Sequence, residues 1–289
     1  MSSDRSPTDS ADGTNHGRRI LALWFVLAAV ATPAVVLVGG PHMPPQDATI
    51  QAQHQQEINT ILAAIVTPAV LAIIVYTIYA LVVFRSRGGD GPDGPPIRGD
   101  QRVTNAWIVM NVAIIGFVVA YGTYDWIGPG VGSGSAQGPT PIARPEGESP
   151  LEVQVIVQQW QFTFRYPSYG GIETPVLMIP EDRYVEFHVT SLDVVHSFWA
   201  VSLGVKADAV PGADNVVYVR ADRPGPFRVQ CAELCGLFHG QMYQVTSSVA
   251  TQADFDAWIA QQQRAYADVQ PYLPPYAPVY YPDPQELAG

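Results

Sequence analysis

Three long apolar runs fill the first part of the chain and set it apart from the rest of the sequence. They extend over residues 20–38, 61–84 and 106–127. The second run contains no charged residue, and the third contains none before Asp125. Both of these two runs exceed the roughly 20 residues that a helix needs to cross a bilayer. The first run follows Arg18 and Arg19 and fits either an extra transmembrane helix or the core of a signal peptide, with a candidate processing site at residues 31–34. The cleaved signal is the slightly favoured interpretation.

The charges that flank these runs predict how the chain is oriented in the membrane. Four arginines (Arg85, Arg87, Arg98 and Arg102) lie between the second and third runs, whereas residues 40–58 contain no lysine or arginine. Because cytoplasmic loops are enriched in basic residues, this loop is predicted to be cytoplasmic, and everything after residue 127 is predicted to lie outside. The two runs also contain no histidine or cysteine for haem iron and no mid-membrane acid for a proton relay. They therefore predict an anchor docked to a larger partner.

From residue 151 onward the hydrophobic pattern has a period of two, which is typical of β-strands. Residues 151–157 and 184–189 alternate apolar and polar positions, and further short β-runs are predicted at 215–220, 227–231 and 242–249. Turn signals such as Pro211-Gly212 separate them. Many short strands with this punctuation indicate an all-β sandwich or small barrel. His188 falls within an alternating run, and we interpret it as a packed or surface histidine rather than a metal ligand.

These patterns divide the chain into five predicted segments. Residues 1–40 hold a polar, disordered start and the signal peptide or extra helix, 41–127 a two-helix transmembrane hairpin, 128–150 a Gly-, Ser- and Pro-rich linker, 151–262 the β domain, and 263–289 a Pro- and Tyr-rich tail. Thr251 is predicted to cap a short helix near the end of the β domain, with Asp254 three residues on. The proline content keeps the tail from forming a regular helix, and we slightly favour a segment that lies over a partner subunit.

Composition narrows the classes of function. The chain of 289 residues is 47% hydrophobic and only 14% charged, against about 25% charged in soluble domains. Its net charge is −11, and Lys206 is its single lysine. No basic patch suits nucleic acid, whereas an acidic surface suits a cationic partner whose attraction weakens with salt.

The strongest chemical signal lies in residues 231–242. Both cysteines of the chain, Cys231 and Cys235, are followed by His239 and Met242, and His196 lies 35 residues upstream of the first cysteine. Two thiolates, two imidazoles and a thioether form a soft donor set of the kind that selects copper. A single blue-copper ion needs only one cysteine, so the second sulfur suggests a bridge between two metal ions. Structural zinc and a short disulfide remain alternatives on spacing alone.

With these residues the chain resembles cytochrome c oxidase subunit II of the bacterial type. The resemblance includes the cysteine stretch, residues 191–197, residues 206–212 and the aromatic run Gln159-Trp160-Gln-Phe162. It implies a cupredoxin-like β domain that carries a binuclear copper A centre. It further implies that His196 and Met242 bind one copper, that His239 and the Glu233 carbonyl bind the other, and that both cysteines bridge them.

The resemblance also implies the setting of this centre. The chain would accept electrons from cytochrome c outside the plasma membrane of a bacterium and pass them to haem in subunit I of a respiratory oxidase, which reduces oxygen and translocates protons. Trp160 matches the electron-accepting tryptophan of the family, with Phe162 in the same aromatic patch, and Asp193 matches a docking position for the donor. The Glu233 side chain would help to bind magnesium at the interface with subunit I. Subunit III and membrane lipid are further expected partners.

Three other classes share parts of this pattern. A quinol oxidase subunit lacks the copper ligands, a copper-delivery protein needs no matching tryptophan, and a nitrous-oxide reductase carries a large propeller for which this chain has no room. One feature departs from the family, which often begins its second helix with Glu-x-x-Trp. Here Thr104 stands in place of the glutamate and Trp107 is kept, so a role for this subunit at a proton path in the partner is in doubt.

Overall fold

A computed structural model describes residues 15–44, 48–85, 99–127 and 149–272 of the chain. Several predictions from the sequence lie outside these residues. They include the disordered start at 1–14, nearly all of the linker at 128–150, and the tail beyond residue 272. Arg87 and Arg98 of the basic loop also lie outside them.

Three apolar helices precede the β domain, as the hydrophobic runs predict. They are α1 (His16–Ala34), which continues as a π-helical turn over Val35–Gly39, α2 (Ile50–Val83) and α3 (Gln101–Ile127). Each is long and apolar enough to cross a membrane. The helices begin earlier than the apolar runs because polar residues cap them. Thr49 Oγ1 accepts from the Ala52 N–H at 2.9 Å, and Asp100 Oδ1 accepts from the Arg102 N–H at 2.7 Å.

The described residues after 148 form a β-sandwich followed by one helix. Its first sheet has the strand order β3-β2-β1-β5-β8 and its second β4-β10-β9-β6-β7. The strands are β1 (Leu151–Gln158), β2 (Gln161–Tyr166), β3 (Ile172–Thr174), β4 (Met178–Pro180), β5 (Tyr184–Ser191), β6 (His196–Ala200), β7 (Val205–Ala209), β8 (Asn215–Arg220), β9 (Gly225–Cys231) and β10 (Tyr243–Ala250). Two pairs, β1 with β5 and β4 with β10, are parallel, and the other pairs are antiparallel. The predicted class of apolar helices followed by an all-β sandwich is confirmed.

The alternating runs bury one face of each strand in a single core. Val153, Val155 and Val157 of β1 are fully buried and pack with Phe187 of β5 and Phe198 of β6. Five strands coincide with predicted β-runs to within two residues at each end. The sequence pattern did not predict β2, β3, β4, β6 or β7. These strands are short, or they coincide with residues that were assigned to the candidate site.

A segment before α2 also belongs to the β domain. The described residues separate into two compact units, one within residues 15–43 and 57–85 and the other within residues 44, 48–56, 99–127 and 149–272. Thr49 Oγ1 donates to the Leu203 carbonyl at 3.0 Å, and Gln55 Nε2 donates to the Gly204 carbonyl at 2.9 Å. Thr49 also forms an isolated β-bridge with Ala221. The first two turns of α2 are therefore tied to the β domain by its connecting loops.

The helix after the sandwich is α4 (Gln252–Ala265), and it closes one end of the core. Thr251 caps it as predicted, since its hydroxyl accepts from the Asp254 N–H at 3.2 Å. Phe255 is fully buried, with its ring centroid 6.4 Å from that of Tyr166. The apolar face of the helix thus completes the packing below the two sheets.

Candidate metal centre

The cysteine stretch connects two neighbouring strands of the second sheet. Strand β9 ends at Cys231 and β10 begins at Tyr243, so the intervening residues form the loop that joins them. A backbone hydrogen bond of 2.9 Å from Cys231 N–H to the Met242 carbonyl closes the base of this loop. His196 is the first residue of β6, which pairs with β9 such that Phe198 lies opposite Cys231. Strand pairing therefore brings the distant histidine to the loop.

All five side chains that are predicted copper ligands converge there. Cys231 Sγ lies 3.8 Å from Cys235 Sγ and 3.9 Å from His196 Nδ1. Cys235 Sγ lies 3.5 Å from His239 Nδ1 and 3.7 Å from Met242 Sδ. His196 is fully buried, and the two cysteines and Met242 are nearly so. The five donors thus form one compact cluster, in which His239 alone is partly exposed.

A backbone oxygen joins this cluster from the middle of the loop. Cys231 Sγ lies 3.2 Å from the Glu233 carbonyl oxygen, whereas the Glu233 side chain is exposed. The chemistry of the donor set fits copper, because thiolate, imidazole and thioether are the ligands that soft metal ions prefer. The arrangement is compatible with a copper site.

The two thiols are free and close enough to influence each other's charge. Both cysteines are free, since their sulfurs are 3.8 Å apart and a disulfide needs about 2.05 Å. Burial raises the pKa of the Cys235 thiol, and the neighbouring Cys231 raises it further. Two buried thiolates at this distance repel one another, and a bound metal ion removes that repulsion.

Asp193 holds the buried histidine by its outer nitrogen. His196 Nε2 lies 2.8 Å from Asp193 Oδ1, and Asp193 Oδ2 accepts from the Gln159 N–H at 2.7 Å. Metal-binding histidines commonly donate their second ring nitrogen to a carboxylate in this way, which leaves the first nitrogen free for the metal. Partial burial raises the pKa of the Asp193 carboxyl, but the hydrogen bonds from Gln159 and His196 outweigh it and lower the pKa. The family resemblance predicts Asp193 as a docking residue, and the structure shows it bonded to the cluster.

Trp160 lies directly on the cysteine loop. Its ring meets that of Phe238 edge to face with centroids 4.8 Å apart. The preceding residue, Gln159, donates from Nε2 to the Cys235 carbonyl at 2.8 Å. Gly236 allows this approach, because it has a φ of 120° and a Cβ there would lie 2.9 Å from Gln159 Nε2. Phe162, which was predicted to share an aromatic patch with Trp160, is buried in the core against Phe164 and Phe198, and Trp160 packs against that core.

Exposed apolar side chains surround the site. They include Leu234 and Leu237, which are 77% and 84% exposed, and Phe238. Leu192, Val194 and Val195 add to this apolar rim from the loop before His196. The rim was not predicted from the sequence, although Leu234, Leu237 and Phe238 stand between the candidate ligands of this loop.

His188 lies away from the donor cluster, in keeping with its interpretation as a packed or surface histidine. Its Nδ1 is 2.7 Å from Asp214 Oδ2 and its Nε2 is 3.5 Å from Glu186 Oε1. Burial lowers the pKa of His188, but the hydrogen bonds to the two carboxylates outweigh it and raise the pKa to about 10. Glu152, Glu186 and His188 could hold a cation by geometry alone. The His188 ring, which both Asp214 and Glu186 contact, already supplies a partner for these acids, so they need no metal ion.

Comparison with known proteins finds a family that matches part of the β domain. Residues 172–249 match the model of the family described as cytochrome c oxidase subunit II, periplasmic domain. Cytochrome c oxidase subunit 2 of Synechocystis sp. is 29% identical over 271 residues, which cover 82% of this chain and 81% of the relative. The same subunit of Brettanomyces custersianus is 43% identical over 91 residues, covering 32% of this chain and 36% of the relative.

A solved structure is also similar to the β domain. It is the periplasmic domain of subunit II of cytochrome oxidase from Bradyrhizobium japonicum, with 27% identity and a TM-score of 0.39. The similarity covers 41% of this chain and 97% of that structure.

Proposed function

We propose that the chain belongs to the family of cytochrome c oxidase subunit II and serves as the electron-accepting subunit of a respiratory terminal oxidase. In this role it takes electrons from cytochrome c at a binuclear copper A centre and passes them to haem in subunit I, which reduces oxygen to water. The observation that carries the proposal is the convergence of two cysteines, two histidines and a methionine at distances of 3.5–3.9 Å between sulfur or nitrogen atoms.

The residues divide into two ligand groups around the bridging thiols. His196 and Met242 would bind one copper, and His239 with the Glu233 carbonyl the other. Cys231 and Cys235 would bridge both. When bound, the copper ions would supply a one-electron carrier. The exposed Glu233 side chain is free to reach a magnesium ion at the surface that we propose for subunit I.

The protein around the donors restricts their movement. Cys231 is fixed by the β9 ladder and His196 by the β6 ladder, so two ligands stand on rigid strands rather than on loops. Asp193 fixes the ring of His196 from the far side. Dense packing costs energy to rearrange, so the protein around these ligands would resist their movement.

A route for electrons leads from the surface to the cluster through Trp160. Trp160 contacts Phe238 at the apolar rim, and its chain neighbour Gln159 is hydrogen-bonded to the Cys235 carbonyl. The path from the tryptophan to a bridging cysteine therefore runs through one peptide unit, one side chain and one hydrogen bond. The apolar rim suits contact with a haem edge, while acidic side chains farther out would steer a basic cytochrome c.

The remaining partners and the location follow from this role. The three apolar helices make the chain a membrane protein with a periplasmic-type domain. We propose that it spans the plasma membrane of a bacterium with the copper domain outside, docked to subunit I and subunit III. The apolar runs of the second and third helices contain no histidine or cysteine to hold haem iron, so the oxygen-reducing site belongs to the partner.

The decisive experiment is copper quantitation with electron paramagnetic resonance on the purified full-length chain. We expect two copper ions per chain and a seven-line mixed-valence spectrum. Cys231→Ser should abolish that spectrum and the oxidation of cytochrome c by the assembled oxidase, and Ser247→Ala, a buried change in the next strand, should preserve both. One copper, or bound zinc, would contradict the proposal, as would an unchanged spectrum in Cys231→Ser.

Partner docking has its own test. Oxidation of cytochrome c by the assembled oxidase should slow as ionic strength rises, because surface charges are screened within about 8 Å at 0.15 M salt. A rate that is flat from low to high salt would contradict acidic steering and leave the copper assignment intact.

A further inference from the structure

Helices α1 and α2 pack antiparallel within one compact unit and touch at three heights. The Trp24 indole N–H donates to the Pro68 carbonyl at 2.8 Å, and His16 Nδ1 lies 2.8 Å from the Tyr79 hydroxyl. At the other end Gly40 lies close to Thr60, where a Cβ would come within 3.0 Å of the threonine methyl group. Hydrogen bonds between helices inside a bilayer are specific contacts, since lipid offers no competing polar partner. The two helices thus form a defined pair.

Two apolar grooves that share part of their lining lie along the helix pair. The larger has a volume of about 580 Å³, and Ala22, Leu23, Val26, Leu27, Tyr79 and Val83 line it together with Arg19. The smaller has a volume of about 260 Å³, shares Leu23, Leu27, Tyr79 and Val83, and is completed by aliphatic side chains of α2, among them Ile78. The grooves therefore differ in one chemical respect. Arg19 supplies a cation to the larger, whereas the described residues that line the smaller are all uncharged.

The cation stands at a basic end of the helix pair. Arg18 precedes Arg19 in the first turn of α1, and the His16 ring of the same turn lies 5.1 Å from the Phe84 ring at the end of α2. Arg85 follows that phenylalanine directly. Arg18, Arg19 and Arg85 therefore lie at the same end of the helix pair. The Tyr79 hydroxyl already bonds His16, which leaves Arg19 as the polar group that the larger groove offers to a ligand.

We propose that the larger groove binds an anionic phospholipid, with an acyl chain along Leu23, Leu27 and Val83 and the phosphate of its headgroup on Arg19. An acyl chain gains no hydrophobic energy by leaving bulk lipid for an apolar groove, so selection must come from the headgroup. Arginine recognises phosphate by a planar, two-pronged pattern of donors. The positive-inside rule puts this basic end in the cytoplasmic leaflet, which carries the anionic lipids. This inference is independent of the copper site.

Native mass spectrometry of the full-length chain from nanodiscs can test the proposal. The nanodiscs contain equal amounts of phosphatidylglycerol and phosphatidylcholine, and the measured quantity is the ratio of the two lipids retained on the protein. For one interfacial arginine we expect a preference of about fivefold for the anionic lipid. Arg19→Gln should reduce that ratio to about one.

A pair of groove-filling variants locates the site. Ala22→Trp fills the larger groove and should remove the bound anionic lipid, whereas Ile78→Trp fills only the smaller groove and should preserve it. Arg102→Gln, a matched change at the start of α3, should also leave the ratio unchanged. Every variant should keep the copper spectrum of the parent, which shows that the β domain is intact and keeps this test separate from the proposed function.

Several outcomes would overturn the proposal. They are equal retention of the two lipids by the parent chain, an equal loss in Ile78→Trp and Ala22→Trp, and an intact mass showing that α1 is absent from the mature protein. Anionic lipid lost when the other oxidase subunits assemble would show that a partner helix occupies the groove instead.

Discussion

Asp193→Asn separates two roles for this residue, donor docking and positioning of His196. Through Oδ1 the carboxylate accepts from His196 Nε2 at 2.8 Å and from the Val194 N–H at 2.6 Å, and through Oδ2 from the Gln159 N–H at 2.7 Å. Asparagine keeps one of the two oxygens and removes the charge. The NH2 group of asparagine replaces one of the two oxygens, so it faces either the Gln159 N–H or the two donors from His196 and Val194. In either case at least one hydrogen bond is lost, and two donor groups face each other.

The expected loss of stability follows from these contacts. A hydrogen bond to a charged group contributes about 1.5–3 kcal/mol and a neutral one about 0.5–1.5 kcal/mol. Losing one charged bond and weakening the others would cost about 3–4 kcal/mol in a dry site. Because the Asp193 side chain is 33% exposed, solvent makes up part of the loss, and we expect about 2–3 kcal/mol.

The assay combines urea unfolding with the copper spectrum of the full-length chain. A positioning role predicts lower stability and altered copper hyperfine splitting, because the ring of His196 is no longer fixed. A pure docking role predicts a raised KM for cytochrome c with the stability and spectrum of the parent. Asp182→Asn is the matched control, since that side chain is 66% exposed, lies 3.8 Å from Arg220 and should change stability by less than about 0.5 kcal/mol. An unchanged spectrum and stability in Asp193→Asn would refute the positioning argument.

Three further predictions concern the loops and the ion cluster. Gly236→Ala puts a Cβ 2.9 Å from Gln159 Nε2 at a φ of 120°, so we expect the free energy of unfolding to fall by about 1–3 kcal/mol, with shifted tryptophan fluorescence and slower oxidation of cytochrome c. The control Gly240→Ala, where the Cβ enters open space, should change none of these. Gly204→Ala puts a Cβ 3.0 Å from the backbone of α2 and should cost about 1–3 kcal/mol more than Gly212→Ala, which has a similar positive φ but open space; equal losses in thermal unfolding would contradict the contact. The pKa of His188 is raised to about 10, so its contribution to stability should be full below its unfolded value of about 6.5 and be lost as pH rises through about 10. His188→Gln should flatten that alkaline loss in pH-dependent urea unfolding, and a slope equal to that of the parent chain would show that the histidine is not charged.

Much of the fold could be predicted from the sequence, because the spacing of apolar residues indicates which face of a strand or helix is buried. The alternation in residues 151–157 predicts a strand with one face in the core, and Val153, Val155 and Val157 are indeed fully buried. The apolar runs likewise predict helices that match membrane thickness. Short strands such as β3 and β4 were missed because three residues are too few to show a period. The polar first turns of α2 were missed for a related reason, since their burial comes from loops that are distant in the sequence, near Leu203 and Gly204.

For the candidate site, too, one part could be predicted from the sequence and another could not. The identity and number of its donors could be read from the sequence, because soft ligands are rare residues and four of them, Cys231, Cys235, His239 and Met242, fall within one short stretch. Whether they meet His196 depends on strand pairing, and it is the pairing of β6 with β9 that brings this histidine to the cysteines.

The amino-acid sequence alone determined the chemistry of this protein, that is, which donor atoms it offers, which segments prefer lipid, and which alternate as strands. The tertiary structure alone decided how those atoms are held. In the folded chain Asp193 contacts His196, Trp160 packs on the cysteine loop and Phe162 is buried in the core. The start of α2 is hydrogen-bonded to the β domain. The physical reason is that a side chain carries its own reactivity and hydrophobicity, whereas its partners come from distant parts of the chain and become neighbours when the core packs.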